Sequence, residues 1–111
     1  MYTYKAECIK VVDGDTFDLE VDLGFNIKIT ERFRLARVNT PEVRGVEREE
    51  GLRVKEFVNT KLKDILSVTT AKNKGKYGRW IAEICYKEAD MWYNISDVLL
   101  KENMAKEVNY D

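Results

Sequence analysis

Histidine is missing from this chain altogether. Its absence excludes histidine-ligated zinc sites, Ser-His-Asp triads and Cys-His nucleophiles. Cysteine is scarce: Cys8 and Cys85 lie far apart with no CxxC, and read as two buried, reduced thiols rather than a disulfide. No apolar run reaches membrane length and no signal-peptide pattern precedes the first strand, so a cytoplasmic chain without a membrane partner is expected. An excess of one charge is lacking too. Nineteen Lys and Arg stand against 20 Asp and Glu, a net charge of −1. Any binding of polyanions therefore has to come from a local basic patch. With 111 residues the chain can bury one modest core, which argues for a single domain over residues 1–111.

What is present reads mostly as strand. Tyr2 to Val12 is rich in β-formers, and its alternation slips at Val11-Val12, which predicts a bulge before the Asp13-Gly14 turn. Phe17, Leu19, Val21 and Leu23 follow at period two, with Asp18, Glu20 and Asp22 on the opposite, solvated face. Gly24-Phe25-Asn26 turns the chain into a third strand running through Phe33 to Val38. Val54, Phe57, Val58, Leu62 and Ile65 have helical spacing and predict a helix of about four or five turns from near Glu47. Gly51 interrupts it, as a close contact or a bend would require. Val68–Ala71 and Trp80–Tyr86 read as strands, the latter with Trp80, Ala82, Ile84 and Tyr86 on one face. Asn94 caps a short helix carrying Ile95, Val98, Leu99 and Met104, and Asn103 is suited to end it; residues 105–111 have little to specify them. The order of three strands, helix, two strands and a short C-terminal helix fits a mainly β chain with helices, a five-stranded OB-type barrel. A β-meander with packed helices is the alternative.

Chemistry concentrates in Phe33-Arg34-Leu35-Ala36-Arg37-Val38-Asn39-Thr40-Pro41-Glu42. Pro41 cannot extend a ladder and holds Thr40 extended, so an Asn-Thr-Pro-Glu corner closes a strand that carries an arginine. Arg34 has the forked geometry that matches phosphate oxygens, and Glu42 is a carboxylate able to act as a base. Asp13 suits the turn, whereas Asp15 is better placed to project a carboxylate outward; turn chemistry and metal ligation both remain open for this pair. Lys72 to Arg79 holds four cations, two glycines, one tyrosine and no acid. That composition suits a solvated loop and a phosphate site equally.

Taken together, Val11-Val12-Asp13-Gly14-Asp15-Thr16, the Phe33–Glu42 stretch and Lys76-Tyr77-Gly78-Arg79 resemble the staphylococcal nuclease family in order and spacing. The resemblance implies an OB-fold barrel and a calcium-dependent endonuclease that cuts single-stranded or frayed DNA or RNA to 3′-phosphate products. It assigns Asp15 as the main calcium carboxylate, Asn39 to the position of a second ligand, and the Thr40 carbonyl to the same ion. Glu42 corresponds to the general base, Arg34 and Arg79 to the arginines that grip the phosphate, and Lys76 and Tyr77 to a terminal-phosphate pair. Calcium takes carboxylate and carbonyl oxygens and needs no histidine.

The sequence departs from the family's pattern in three places. Asn39 keeps an oxygen but removes one charge from the metal site. An upper bound on that loss is about 4 kcal/mol, for unit charges about 4 Å apart at an effective dielectric of about 20. The family's C-terminal helix has no counterpart here. Asn109 stands where the family often has a stacking tyrosine, with Tyr110 one residue on. Two functions follow as expectations: an active nuclease, and an OB-fold module that holds nucleic acid without cutting it.

Overall fold

A computed structural model describes residues 2–70 and 78–108. Strands β1 (Tyr2–Asp13), β2 (Thr16–Asp22) and β3 (Lys28–Leu35) form an antiparallel meander. A short β4 (Val38–Asn39) follows, then a 3-10 turn (Gly45–Glu47) leading into α1 (Arg48–Lys61). Strands β5 (Leu66–Thr70) and β6 (Trp80–Glu88) return antiparallel to each other, with β5 paired to β1. The first residues of β6 run parallel to the end of β3, Phe33 opposite Trp80 and Leu35 opposite Ala82. That seam closes β1, β2, β3, β5 and β6 into a five-stranded barrel, the OB architecture.

Closure follows from the alternation in each strand. Phe17, Leu19 and Val21 of β2, Phe33 and Leu35 of β3, Leu66 and Val68 of β5, and Ala82, Ile84 and Tyr86 of β6 all point into one core. Helix α1 adds Val54 and Val58, and a second helix, α2 (Ile95–Lys101), adds Ile95 and Leu99. Asn94 caps α2, its side-chain oxygen accepting from the Asp97 N–H at 3.2 Å. Asn103 ends the helical segment in the left-handed conformation (φ 58°). β7 (Met91–Asn94) folds back on β6 through Ala89-Asp90, both left-handed, as a two-residue hairpin turn demands. In β1 the register slips twice, between Cys8 and Lys10 and again between Val11 and Asp13, so the expected bulge has a companion.

Four expectations are corrected. The third strand does not run through Val38: it stops at Leu35, Arg37 turns left-handed (φ 70°), and β4 belongs to a separate two-stranded sheet. The reason is that Leu35 and Val38 are both fully buried, and three residues of continuous strand would have pointed them to opposite faces. Ile65 lies outside α1 and is half exposed; the buried stripe is Val54, Val58 and Leu62. Helix α2 ends at Lys101, leaving Met104 in the loop that packs on the core. Within the stretch after Ala105, Lys106 and Glu107 are specified after all, for they form β8, which pairs with β4, Asn39 opposite Lys106.

Candidate active site

The site is built where β2 begins and β3 ends. Thr16 and Arg34 are cross-strand partners, and the Asp15 carbonyl accepts the Leu35 N–H at 2.9 Å, so the two strands are tied at this end. The Asp15 carboxylate and the Arg34 guanidinium meet at 3.0 Å, with side chains only 8% and 5% exposed. Burial of that degree is tolerable because each group is extensively bonded. Asp15 Oδ2 also accepts the Thr40 N–H at 3.0 Å, and Oδ1 lies 3.1 Å from the Thr16 hydroxyl that donates to it. Arg34 donates to the Val38 carbonyl at 3.1 Å and to Asn39 Oδ1 at 3.2 Å. Asn39, which bonds Arg34, is exposed, so the buried pair reaches solvent on that side; Glu42, three residues further on, is exposed too.

Four of the expected residues, Asp15, Arg34, Asn39 and Thr40, are thus joined in one hydrogen-bonded cluster. Thr40 enters it through its N–H, where its carbonyl was the expected ligand. Glu42 is exposed and fixed through its backbone. Its N–H bonds Glu47 Oε1 at 3.2 Å, and its carbonyl is pressed against α1 at Gly51, where a Cβ would lie 2.0 Å from that oxygen. Gly51 is therefore the close contact its place in the helix suggested. Arg79 directly precedes β6 and is half-buried, its Nε enclosed by protein. The register pairs Arg34 with Ile81, two residues after Arg79. Lys76 and Tyr77 lie outside the described residues.

Asp13 and Gly14 complete the site. The Asp15 N–H bonds Asp13 Oδ1 at 3.2 Å. Burial, reinforced by hydrogen bonding to Asp15 and its charge, pushes the Asp13 carboxyl up to about 7. Burial also opposes ionisation of Asp15, but the Asp13 hydrogen bond, the Thr40 N–H and Arg34 outweigh it and hold that carboxyl below the usual range. At Gly14 a Cβ would lie 2.9 Å from Thr40 Oγ1 and 2.7 Å from Val54 Cγ1, so glycine lets the corner sit against the turn. The Asp-Gly dipeptide was legible as a turn, but nothing local signalled the residue it had to clear.

Calcium fits this donor set in kind. Asp13, Asp15, Asn39 and Thr40 offer only hard oxygens, and Thr40 Oγ1 is buried with no hydrogen-bond partner among the described residues. The charge is modest: among the described residues no group of three Asp or Glu gathers as a metal cluster.

A closed OB barrel with a buried carboxylate–arginine pair beside an Asn-Thr-Pro-Glu corner defines the structural class of this chain. The model of that class described as staphylococcal nuclease homologue matches residues 32–111, and the chain belongs to this family. It is also 31% identical over a 126-residue alignment to the uncharacterized protein MJ1439 of Methanocaldococcus jannaschii, covering 93% of this chain and 58% of that one. The chain thus spans somewhat more than half the length of that relative. No helix among the described residues is long and apolar enough to cross a membrane.

Proposed function

We propose that this domain is a calcium-dependent endonuclease that hydrolyses single-stranded or frayed DNA or RNA to 3′-phosphate products. The observation that carries the reading is the buried Asp15–Arg34 pair, bonded to Asn39 and Thr40, with the exposed Glu42 two residues beyond Thr40. Asp13, Asp15, Asn39 and Thr40 are the residues to hold the ion. When bound, calcium neutralises charge that develops on the nonbridging oxygens of the phosphate. Arg34 and Arg79 neutralise the same oxygens from the protein side. Arg34 now spends its N–H groups on Asp15, Val38 and Asn39. Asp15 and Asn39 are also candidate ligands, so the guanidinium turns to phosphate when their oxygens are taken. Glu42, exposed and fixed by its backbone, accepts the proton of the attacking water. The water oxygen bonds to phosphorus as the bond to the 5′ oxygen breaks, and that oxygen takes a proton from solvent. Lys76 and Tyr77 complete the proposed substrate contacts. The free thiols of Cys8 and Cys85 suit a reducing, cytoplasmic setting.

A second reading, binding without cutting, is favoured by Asn39, which supplies an amide oxygen to Arg34 in place of a carboxylate. Cleavage of denatured DNA and of RNA, in millimolar calcium and in chelator, separates the two. The nuclease reading expects calcium-dependent cutting that Glu42→Gln abolishes, with Asn39→Asp lowering the calcium required. Retained binding with no cleavage by the unaltered chain or by Asn39→Asp would establish the second reading.

A further inference from the structure

The corner that delivers Asn39 and Thr40 begins at Arg37, whose side chain bonds Glu83, Asn94 and Asp97. Its backbone is left-handed (φ 70°), a conformation that a bulky residue keeps only when the surroundings over-determine it. The surroundings do. The Arg37 guanidinium forks onto Glu83 of β6 at 2.9 and 2.8 Å and reaches Asp97 Oδ1 in the first turn of α2 at 2.8 Å. It also donates to Asn94 Oδ1 at 3.4 Å, while the Asn94 amide donates to Glu83 Oε1 at 2.8 Å. The backbone is clamped as well: Ala36 N–H to the Ala82 carbonyl at 2.9 Å, Ser96 hydroxyl to the Ala36 carbonyl at 3.0 Å, and Val108 N–H to the Arg37 carbonyl at 2.8 Å.

From this fixed point the chain has little slack. Val38, one residue on, is fully buried and its carbonyl binds Arg34; Asn39 binds Arg34 next, and Thr40 N–H binds Asp15. We propose that Arg37 is a positioning residue for this site: the fork onto Glu83, with Asp97 and Asn94, locks the β3–β4 turn in the one conformation that presents Asn39 and Thr40 to Asp15 and Arg34. The functional part of this inference rests on the nuclease reading; the positional part does not. The anchoring groups lie on β6 and α2, so the site is registered against elements that supply none of its described cluster.

The test pairs Arg37→Ala with Arg37→Gly and Glu83→Gln. Arg37→Gly is the informative variant, because it tolerates the left-handed backbone while removing the fork. Each variant is first shown by cooperative thermal unfolding to be folded at the assay temperature. In saturating calcium, Arg37→Ala and Arg37→Gly are expected to lower kcat about 10- to 100-fold with KM little changed, the size expected of a misplacement near 1 Å. Arg37→Ala/Glu83→Gln should be no worse than Arg37→Ala. Arg32→Ala, which removes a comparable bidentate pair with Asp18 on the outside of the barrel, is expected to change nothing. A second readout does not need cleavage. Amide exchange at Thr40 should quicken at least tenfold more than at Leu35 in Arg37→Gly. Folded Arg37→Gly with unaltered Thr40 exchange would overturn the proposal, as would unaltered kcat in a chain that cuts. Quickened exchange in a chain that never cuts would keep the positioning and sink only the nuclease reading.

Discussion

At Arg34 a guanidinium is almost wholly withdrawn from water, and Asp15 is its ion-pair partner there. Removing one member of a buried pair leaves the other charged and uncompensated, at a cost of about 3–5 kcal/mol. Arg34→Met is therefore expected to lower stability by about 3 kcal/mol in urea denaturation, and Arg34→Met/Asp15→Asn to recover a large part of that loss. Recovery would be of stability alone, since both cleavage and calcium dependence should stay absent in the double variant. The contrast distinguishes a pair kept for the fold from one kept for the site. The sequence made these two residues readable as candidates because one sits beside an Asp-Gly turn and the other directly follows Phe33, on the stretch that closes at Thr40-Pro41. It did not reveal that they touch, because neither hairpin turn nor strand alternation specifies which polar group a buried arginine finds.

Among the elements, α1 shows the sharpest local conflict. Gly51 weakens the helix by about 1 kcal/mol relative to alanine. Yet a methyl group there would lie 2.0 Å from the Glu42 carbonyl oxygen. Helix propensity predicts that Gly51→Ala stabilises; the clash predicts the reverse, and at that distance the clash wins. The expected result is a net loss of about 1–3 kcal/mol in stability. A fall in cleavage larger than the lost folded fraction should accompany it, because the displaced group belongs to Glu42. Melting temperature and specific activity measured on the same sample check both. Elements with strong periodicity were legible: β2 through Phe17, Leu19 and Val21, α2 through its Asn94 cap and its Ile95 and Leu99 stripe. β4 and β8 were not, since two-residue strands carry no period. The spacing of Leu35 and Val38 did hold the signal of a break, and only burial on both sides turned it into evidence. Ile65 fitted the helical stripe by spacing alone, but its helix had already ended at Lys61.

Across the whole molecule, the barrel brings distant charges together, and acid tests that arrangement. The Arg37 hydrogen bonds, opposed by burial and aided by Asn94, hold the Glu83 carboxyl below its ordinary value of 4.5. A carboxyl depressed in the folded state contributes stability that is complete above its unfolded value. That contribution is lost as pH falls through the folded one. The acid limb of stability should therefore steepen below about pH 4.5, and Glu83→Gln should flatten it while lowering stability at neutral pH. Urea midpoints measured at intervals from pH 6 to pH 3 read the difference. Equal slopes for Glu83→Gln and the unaltered chain would mean that Arg37 and Glu83 contribute nothing as a charge pair.

The parallel seam between β3 and β6 also orders events in time. Asp15, Arg34 and Thr40 all lie in the first part of the chain, and the β2–β3 hairpin that joins the first two can form as soon as it is made. Glu83 and Asp97, which fix Arg37, and Ala82, which holds Ala36, come much later. A ribosome that has released the chain through Thr40 has thus made the residues of the cluster but not their arrangement. Long-range pairing is also the slow step once the chain is complete, because loop closure must precede the contacts that reward it. The nascent domain consequently carries Asp15, Arg34 and Thr40 for some time before it holds them in one fixed cluster.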